Sequence, residues 1–152
     1  MRKLFDMDLK DYGDCTRTFR RDSARSIIIR NGKIGMIYSR KYDYYKFPGG
    51  GLDNDESLVE ALIRETREEA GLIIIPQSIK EYGYVHRIQR SDGDPDECFV
   101  QDNYYYISDA LDEVTAQKLD EYEANESFQL EFVEAGEAIR KNRGVKDSPY
   151  DQ

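Results

Sequence analysis

The chain has 152 residues, of which 39% are hydrophobic, and it carries a formal net charge of −9. This length predicts a single domain, residues 1–152, with a real hydrophobic core. The negative charge argues against binding nucleic acid through a broad basic face. Because the sequence contains neither a run of about 18 apolar residues nor a signal-peptide hydrophobic region, no membrane association is predicted.

The N-terminal segment and the two cysteines allow more than one interpretation. Residues 1–22 are long for a single leading strand, so they are interpreted as an N-terminal extension or an edge strand, and a homodimer contact stays open. Cys15 and Cys98 lie far apart and lack the spacing of a metal or redox site. We therefore expect reduced thiols and a cytoplasmic protein.

A hairpin opens the regular part of the chain. Ser26–Arg30 reads as a strand, Asn31 and Gly32 form a two-residue turn, and the chain returns as a second strand to Tyr38. A loop rich in tyrosine and lysine follows, and it includes Tyr44 and Tyr45.

Next comes a glycine turn, Gly49 to Gly51, and a helix predicted over Glu56–Ala70. At about 100° per residue, the apolar side chains of this helix form one broad arc, and Glu65 and Glu69 fall inside that arc. Buried carboxylates require a compensating cation, and carboxylate oxygens suit Mg²⁺ or Mn²⁺. The alternative is a surface helix with Glu–Arg pairs three and four residues apart.

The second half of the chain predicts further strands and a closing helix. Strands are expected at about Ile79–Gln89, Phe99–Ser108 and Phe128–Val133, and a helix at Glu134–Lys141. Leu111–Asn125 is ambiguous, since a helix and a short strand at Leu119–Glu123 both fit. Arg87 lies within the first of these strands. Strands between two helices make an α/β/α arrangement with a mixed β-sheet.

The segment from Gly50 to Leu72 resembles the Nudix box, the signature of hydrolases that cleave a diphosphate linked to another moiety. All seven of its most restricted positions match, namely Gly50, Glu56, Arg64, Glu65, Glu68, Glu69 and Gly71. The resemblance implies the Nudix-type α/β/α sandwich. It also implies metal-dependent chemistry with Mg²⁺ or Mn²⁺.

The resemblance also assigns roles to individual residues. Glu65 and Glu69 are expected to bind metal, and Glu68 is expected to join them directly or through water. The main-chain carbonyl of Gly49 is a further implied ligand. Arg64 is expected to orient these acids and to pair with Glu56.

Three residues of the motif are expected to be structural, namely Gly50, Glu56 and Gly71. The general base implied by the resemblance is Glu126, with Glu123 and Glu121 as alternates. Glu65 itself stays open for this role. A solvated acidic loop over Asp120–Glu126 is the competing interpretation.

These observations predict hydrolysis of a diphosphate linkage in a nucleoside diphosphate derivative or nucleoside triphosphate, by attack of water on phosphorus. The expected partner is therefore a small nucleotide or another diphosphate, and not nucleic acid. Tyr44 and Tyr45 are then candidates for stacking on a substrate base, and Arg87 is a candidate for contacting a terminal phosphate. One alternative is a Nudix-like sensor that binds a nucleotide without cleaving it. A Nudix-fold isomerase is a weaker alternative, because neither Cys15 nor Cys98 has a flanking pattern that supports catalysis.

Overall fold

Twelve strands and three α-helices are formed by residues 1–145, the part of the chain that the computed structural model describes. The strands are β1 Lys3–Asp8, β2 Arg17–Arg20, β3 Ser23–Ile27, β4 Ile29–Arg30, β5 Lys33–Ser39, β6 Tyr44–Lys46, β7 Gly49–Gly51, β8 Leu72–Ile74, β9 Lys80–Arg90, β10 Glu97–Ile107, β11 Ala110–Val114 and β12 Phe128–Val133. The helices are α1 Leu58–Ala70, α2 Glu121–Asn125 and α3 Ala135–Arg143.

The largest sheet has six strands in the order β1-β9-β10-β3-β7, with β2 also paired to β10. Its pairing is mixed, because β9 and β10 are antiparallel whereas β10 is parallel to β2 and β3. A second sheet of four strands contains β12, β5, β4 and β6. Helix α1 packs on β3 and β7, and α3 packs on β6. The predicted α/β/α arrangement with a mixed sheet is confirmed.

The N-terminal segment supplies two of the strands in the large sheet. β1 forms one edge by pairing in parallel with β9. β2 runs beside the first half of β10, although its four residues are all exposed and show no alternation of apolar side chains.

The two cysteines form a disulfide bond, Cys15–Cys98, with their Cα atoms 5.7 Å apart. The prediction of reduced thiols is therefore wrong. Pairing of β2 with β10 carries the N-terminal segment alongside Cys98, across a separation of 83 residues that hides the contact in the sequence. The expected cytoplasmic location loses the support of reduced thiols. Within residues 1–145, none of the helices combines the length and apolar character needed to cross a bilayer.

The hairpin turn at Asn31 and Gly32 is confirmed, with φ angles of 51° and 76°. The strand predicted over Ser26–Arg30 is instead divided at Ile28. This happens because β3 pairs with β10 and β7, whereas β4 pairs with β5 in the second sheet. The chain thus changes sheets at this point, and the buried Ile28 belongs to the core between them.

Helix α1 begins at Leu58, two residues later than predicted, because Ser57 caps it. The Ser57 hydroxyl accepts a hydrogen bond from the Glu60 amide, and the Glu60 carboxylate accepts one from the Ser57 amide. Gly71 ends the helix in the left-handed conformation, with φ of 71°. A β-carbon at this position would also collide with the Thr115 carbonyl oxygen, so only glycine fits.

The ambiguous segment Leu111–Asn125 contains both element types. β11 pairs with β8, and α2 follows after a connecting loop. The alternative of a strand at Leu119–Glu123 is wrong, because Asp120 caps α2 and starts the helix there. Its carboxylate accepts a hydrogen bond from the Glu123 amide, and the Glu123 carboxyl accepts one from the Asp120 amide.

Candidate functional site

A cleft of about 590 Å³ lies on one face of the six-stranded sheet. Side chains alternate between the two faces of a strand, so the paired residues Phe19 of β2, Phe99 of β10 and Gln89 of β9 point to the same face and line this cleft. The cleft is lined by Phe19, Arg21, Arg25, Lys46, Gly49, Gly50, Gly51, Glu65, Arg87, Gln89, Ser91, Asp92, Glu97, Phe99, Gln101, Asp120, Tyr122 and Glu123. The glycine turn, one carboxylate of α1 and the N-terminal end of α2 therefore share one cavity.

The glycine turn allows α1 to approach the sheet closely. β7 pairs with β3, and a β-carbon on Gly50 would lie 2.6 Å from the carboxylate carbon of Glu65. The preceding Gly49 adopts φ of 145°, and its carbonyl oxygen accepts a hydrogen bond from Arg25 Nη1 at 3.1 Å. Any side chain at Gly50 larger than hydrogen would therefore push the Glu65 carboxylate out of the cleft.

Arg64 organises the outer side of α1. It forms a bidentate pair with Glu56, with Nε–Oε1 of 2.7 Å and Nη2–Oε2 of 2.8 Å, so the expected contact is present. Its Nη1 also donates to Glu65 at 2.7 Å and to Glu68 at 3.3 Å. The paired guanidinium lowers the pKa of Glu56 and links the loop before the helix to the helix itself.

We expect Glu56→Gln to lower the free energy of unfolding by about 1–3 kcal/mol near neutral pH, because it breaks this largely buried ion pair. The pKa of Glu56 is lower in the folded state than in the unfolded state. Its contribution is therefore present above the unfolded-state pKa and is lost as the pH falls through the folded-state pKa. Urea unfolding at about pH 7 and about pH 3 would measure this, and a difference of equal size at both would contradict it.

Glu65 and Glu69 occupy different depths. Glu65 lines the cleft, where burial raises the pKa of its carboxyl while the Arg64 hydrogen bond lowers it and the nearby Glu69 and Glu68 raise it. Glu69 is only 1% exposed and lies behind the cleft wall. It accepts hydrogen bonds from Lys46 Nζ at 2.7 Å and from the Gly49 amide at 3.2 Å. A buried carboxylate is thus held between a lysine and the glycine turn.

Glu123 also reaches Glu69. Burial, followed by the close approach of the Glu69 carboxyl, raises the pKa of Glu123 far above that of a free carboxyl. Two carboxyl groups in contact require a proton or a cation between them. Glu126, by contrast, is buried at the end of α2, accepts a hydrogen bond from Tyr44 Oη at 3.0 Å, and is absent from the cleft lining.

The other candidate residues are distributed around this centre. Glu68 lies on the outer surface of α1 beside Arg67 and Lys118, away from the cleft. Tyr44 and Tyr45 are buried and line a smaller neighbouring cavity, of about 290 Å³, together with Phe5 and Met7 of β1. Arg87 lines both cavities. Neither tyrosine lines the larger cleft that holds the glycine turn.

Sequence reasoning missed several cleft residues that the fold brings together. Arg21, Arg25 and Lys46 add positive charge to the cleft, and Phe19 and Phe99 add an aromatic pair. Strand alternation would have placed Arg21 and Arg25 on the same face as each other. Only the pairing of β3 with β7 brings that face against the glycine turn.

The donor chemistry of the centre fits a divalent cation. Glu65, Glu69 and Glu123 offer carboxylate oxygens. The carbonyl oxygen of Gly49, which accepts a hydrogen bond from Arg25, is a further oxygen donor. Hard oxygen donors of this kind are what Mg²⁺ and Mn²⁺ prefer. Among residues 1–145, no three His, Cys, Asp or Glu side chains are already gathered in metal-binding geometry. Lys46 and Arg64 hold two of the carboxylates instead.

The fold and the site together define an α/β protein with a glycine turn and a carboxylate-bearing helix at one cleft. The family model for the NUDIX domain matches residues 20–150, and the chain belongs to this family. A NUDIX hydrolase from Nitrosomonas europaea has a similar structure, with a TM-score of 0.63 and 18% identity over 86% of this chain and 82% of that chain. The E. coli ORF135 protein gives a TM-score of 0.56 and 22% identity, covering 82% of this chain and 80% of that chain.

Two curated relatives share part of the sequence. RNA pyrophosphohydrolase from Xanthomonas oryzae pv. oryzae (strain MAFF 311018) is 34% identical over 65 residues, which cover 43% of this chain and 31% of the relative. RNA pyrophosphohydrolase from Xanthomonas campestris pv. campestris (strain B100) gives the same identity and coverage. The matching region thus spans about a third of the length of these relatives.

Proposed function

We propose that this protein is a metal-dependent pyrophosphohydrolase acting on a nucleoside triphosphate or a nucleoside diphosphate derivative. The observation that carries the proposal is the buried Glu69, which contacts Lys46, the Gly49 amide and Glu123 at the wall of a cleft that also holds Glu65. Family membership supports it, since the solved relatives of this fold include a NUDIX hydrolase.

The proposed metal site consists of Glu65, Glu69 and the Gly49 carbonyl, with Glu68 joining directly or through water. Bound there, Mg²⁺ or Mn²⁺ would neutralise phosphate oxygens and lower the pKa of a water molecule. Arg64 keeps Glu65 in place through its hydrogen bond. Glu68 would have to turn away from the outer surface of α1 to take part, so it is the weakest member of this set.

Positive side chains at the cleft are suited to a polyphosphate. Arg21, Arg25, Lys46 and Arg87 line the same cavity as the glycine turn, in a chain whose net charge is −9. Low-dielectric walls strengthen the attraction between such groups and an anion. We propose that these residues bind the phosphate groups, whereas Tyr44 and Tyr45 serve chiefly to build the wall.

The reaction is proposed to proceed by attack of water on phosphorus. A bond forms between the water oxygen and phosphorus, the bond from phosphorus to the bridging oxygen breaks, and a carboxylate accepts the proton of the water. We propose Glu123 for this last role, because it lines the cleft and contacts Glu69. Glu126 is the second choice, since it would need to leave Tyr44 to reach the cleft.

We expect Glu123→Gln to lower kcat by about 100-fold or more, the usual loss when a positioned general base is removed. Glu126→Gln is the matched comparison, because it sits in the same segment and can keep its hydrogen bond from Tyr44. We expect it to retain kcat within about threefold, because Glu126 does not line the cleft. Steady-state kinetics of both variants would decide, and the reverse order of effects would assign the base to Glu126.

The direct test of the function is a phosphate-release screen over nucleotides and diphosphate conjugates. Each compound would be incubated with Mg²⁺ or Mn²⁺, with and without a coupling phosphatase, and with Glu69→Gln as the control. Mn²⁺ binding, measured by electron paramagnetic resonance, gives a readout that does not depend on finding the substrate. Intact nucleotide bound without a metal ion would favour the sensor alternative.

A second candidate substrate is the 5′-polyphosphate end of RNA, because the partial relatives are named RNA pyrophosphohydrolases. A terminal phosphate group could enter the cleft without a broad basic face for the rest of the strand. The screen therefore includes a 5′-triphosphorylated oligoribonucleotide. Release from this oligonucleotide at a higher kcat/KM than from free nucleotides would favour RNA over a small molecule. A cytoplasmic location and a homodimer remain predictions.

A further inference from the structure

An aromatic pair stands at one end of the cleft. Phe19 on β2 lies directly opposite Phe99 on β10, and their ring centroids are 6.0 Å apart with an interplanar angle of 31°. Both rings line the same cavity as Glu65 and the glycine turn. Phe19 is nevertheless 49% exposed, so a large part of its ring faces the cavity and solvent and is not covered by the core.

Neighbouring side chains fit this pair to a planar polar ligand. Gln89 lies on the other side of Phe99, so that Gln89, Phe99 and Phe19 form one row across three strands. Arg21, two residues after Phe19, points to the same face and into the same cavity. A ring system resting on the phenylalanines would thus have an amide at one side and positive charge between it and Glu65.

The position of the pair is fixed by covalent and backbone contacts. The Cys15–Cys98 disulfide ends next to Phe99, and the Arg21 amide donates to the Val100 carbonyl at 3.2 Å. These contacts hold β2 on β10 at both ends of the short strand. An aromatic surface that is ordered before binding loses little conformational freedom when a ligand arrives.

We propose that Phe19 and Phe99 form the subsite for the nucleobase of the substrate, and that Phe19 is a residue that determines specificity for base-bearing polyphosphates. The proposal rests on the proposed function, since it places the base in the same cleft as the diphosphate. Stacking on an aromatic side chain tolerates every base, because each has a π-face. The subsite therefore selects nucleotides over base-free polyphosphates.

Equilibrium binding tests this inference without requiring turnover. The ligands are the α,β-methylene triphosphates of adenosine, guanosine, cytidine and uridine, with inorganic tripolyphosphate as the base-free probe, all in Mn²⁺ and measured by calorimetry. We expect at least one nucleotide to bind the wild-type protein about 10-fold or more tightly than tripolyphosphate. In Phe19→Ala that advantage is expected to disappear, while binding of tripolyphosphate stays unchanged.

Three further variants separate stacking from packing. Phe19→Trp is expected to keep the nucleotide advantage, whereas Phe19→Leu, which preserves apolar volume without an aromatic face, is expected to lose it. Phe5→Ala removes an exposed phenylalanine that lines the neighbouring cavity, and it is expected to leave the affinity for both ligands unchanged. The inference is overturned if the base adds nothing to the affinity of the wild-type protein, or if Phe19→Ala weakens the binding of both ligands equally. It is also overturned if Phe5→Ala abolishes the advantage of nucleotides over tripolyphosphate.

This design keeps the subsite separate from the proposed activity. If the phosphate-release screen finds no turnover but the binding pattern holds, the hydrolase proposal fails and the base subsite stands. If turnover is found but nucleotides bind no better than tripolyphosphate, the activity stands and the subsite is overturned.

Discussion

Replacement of Glu69 by glutamine is expected to lower kcat/KM by about 100-fold or more, because it removes a charged oxygen ligand from the proposed metal site. The change keeps the shape of the side chain, which is almost fully buried. It also leaves Lys46 without its anionic partner at the cleft wall. Kinetics with the best substrate over a range of Mn²⁺ concentrations would measure the loss of kcat/KM. Mn²⁺ binding would measure the loss of metal affinity.

Glu137→Gln is the matched control, since Glu137 lies in the first turn of α3 and is exposed. It removes the same charge from the chain and is expected to leave both kcat/KM and Mn²⁺ affinity unchanged. Urea unfolding of the two variants distinguishes a loss of chemistry from a loss of folded protein. Retention by Glu69→Gln of wild-type turnover in saturating metal would remove Glu69 from the site.

Loss of the Cys15–Cys98 disulfide is expected to lower the free energy of unfolding by about 4 kcal/mol, because the bond closes a loop of more than 80 residues. In the chain-entropy model, the gain grows with the logarithm of loop length, and measured values fall at about 2–5 kcal/mol. Cys15→Ser is the preferred variant, because Cys98 is 1% exposed and a serine there would bury a hydroxyl. Urea unfolding with and without a reductant would give the difference.

The wild-type protein and the variant serve as controls for each other in this experiment. A reductant is expected to destabilise the wild-type protein to the level of Cys15→Ser and to leave the variant itself unaffected. Counting reactive thiols in the denatured wild-type protein, before and after reduction, reports the bond directly. Two free thiols in the unreduced protein, with no effect of reductant on stability, would contradict the disulfide.

Short-range patterns allowed much of the fold to be predicted. β12 begins and ends where alternation places it, and the Asn31–Gly32 turn follows from the preference of type I′ turns for these residues. The contact of Arg64 with Glu56 was also expected, from the resemblance to the Nudix box. The burial of Glu69 follows from helical periodicity alone.

What escaped prediction depends on contacts between distant segments. The partner of Glu69 is Lys46, which lies 23 residues earlier and is brought there by β6. The disulfide depends on pairing of β2, whose exposed residues leave no apolar alternation to recognise. The proposal of Glu123 over Glu126 as the base depends on the orientation of a five-residue helix, which spacing from Phe132 does not give.

The disulfide also fixes which side chains of β2 face the cleft. A shift of one residue along a strand turns every side chain to the opposite face of the sheet. Three residues, Thr16, Arg17 and Thr18, separate Cys15 from Phe19. A residue inserted among them would have to be accommodated by a bulge. Otherwise it would turn Phe19 away from the cleft, although all other residues of the chain were unchanged. Insertions are therefore expected to be tolerated less well here than substitutions, because the length of this spacer counts for more than its chemistry.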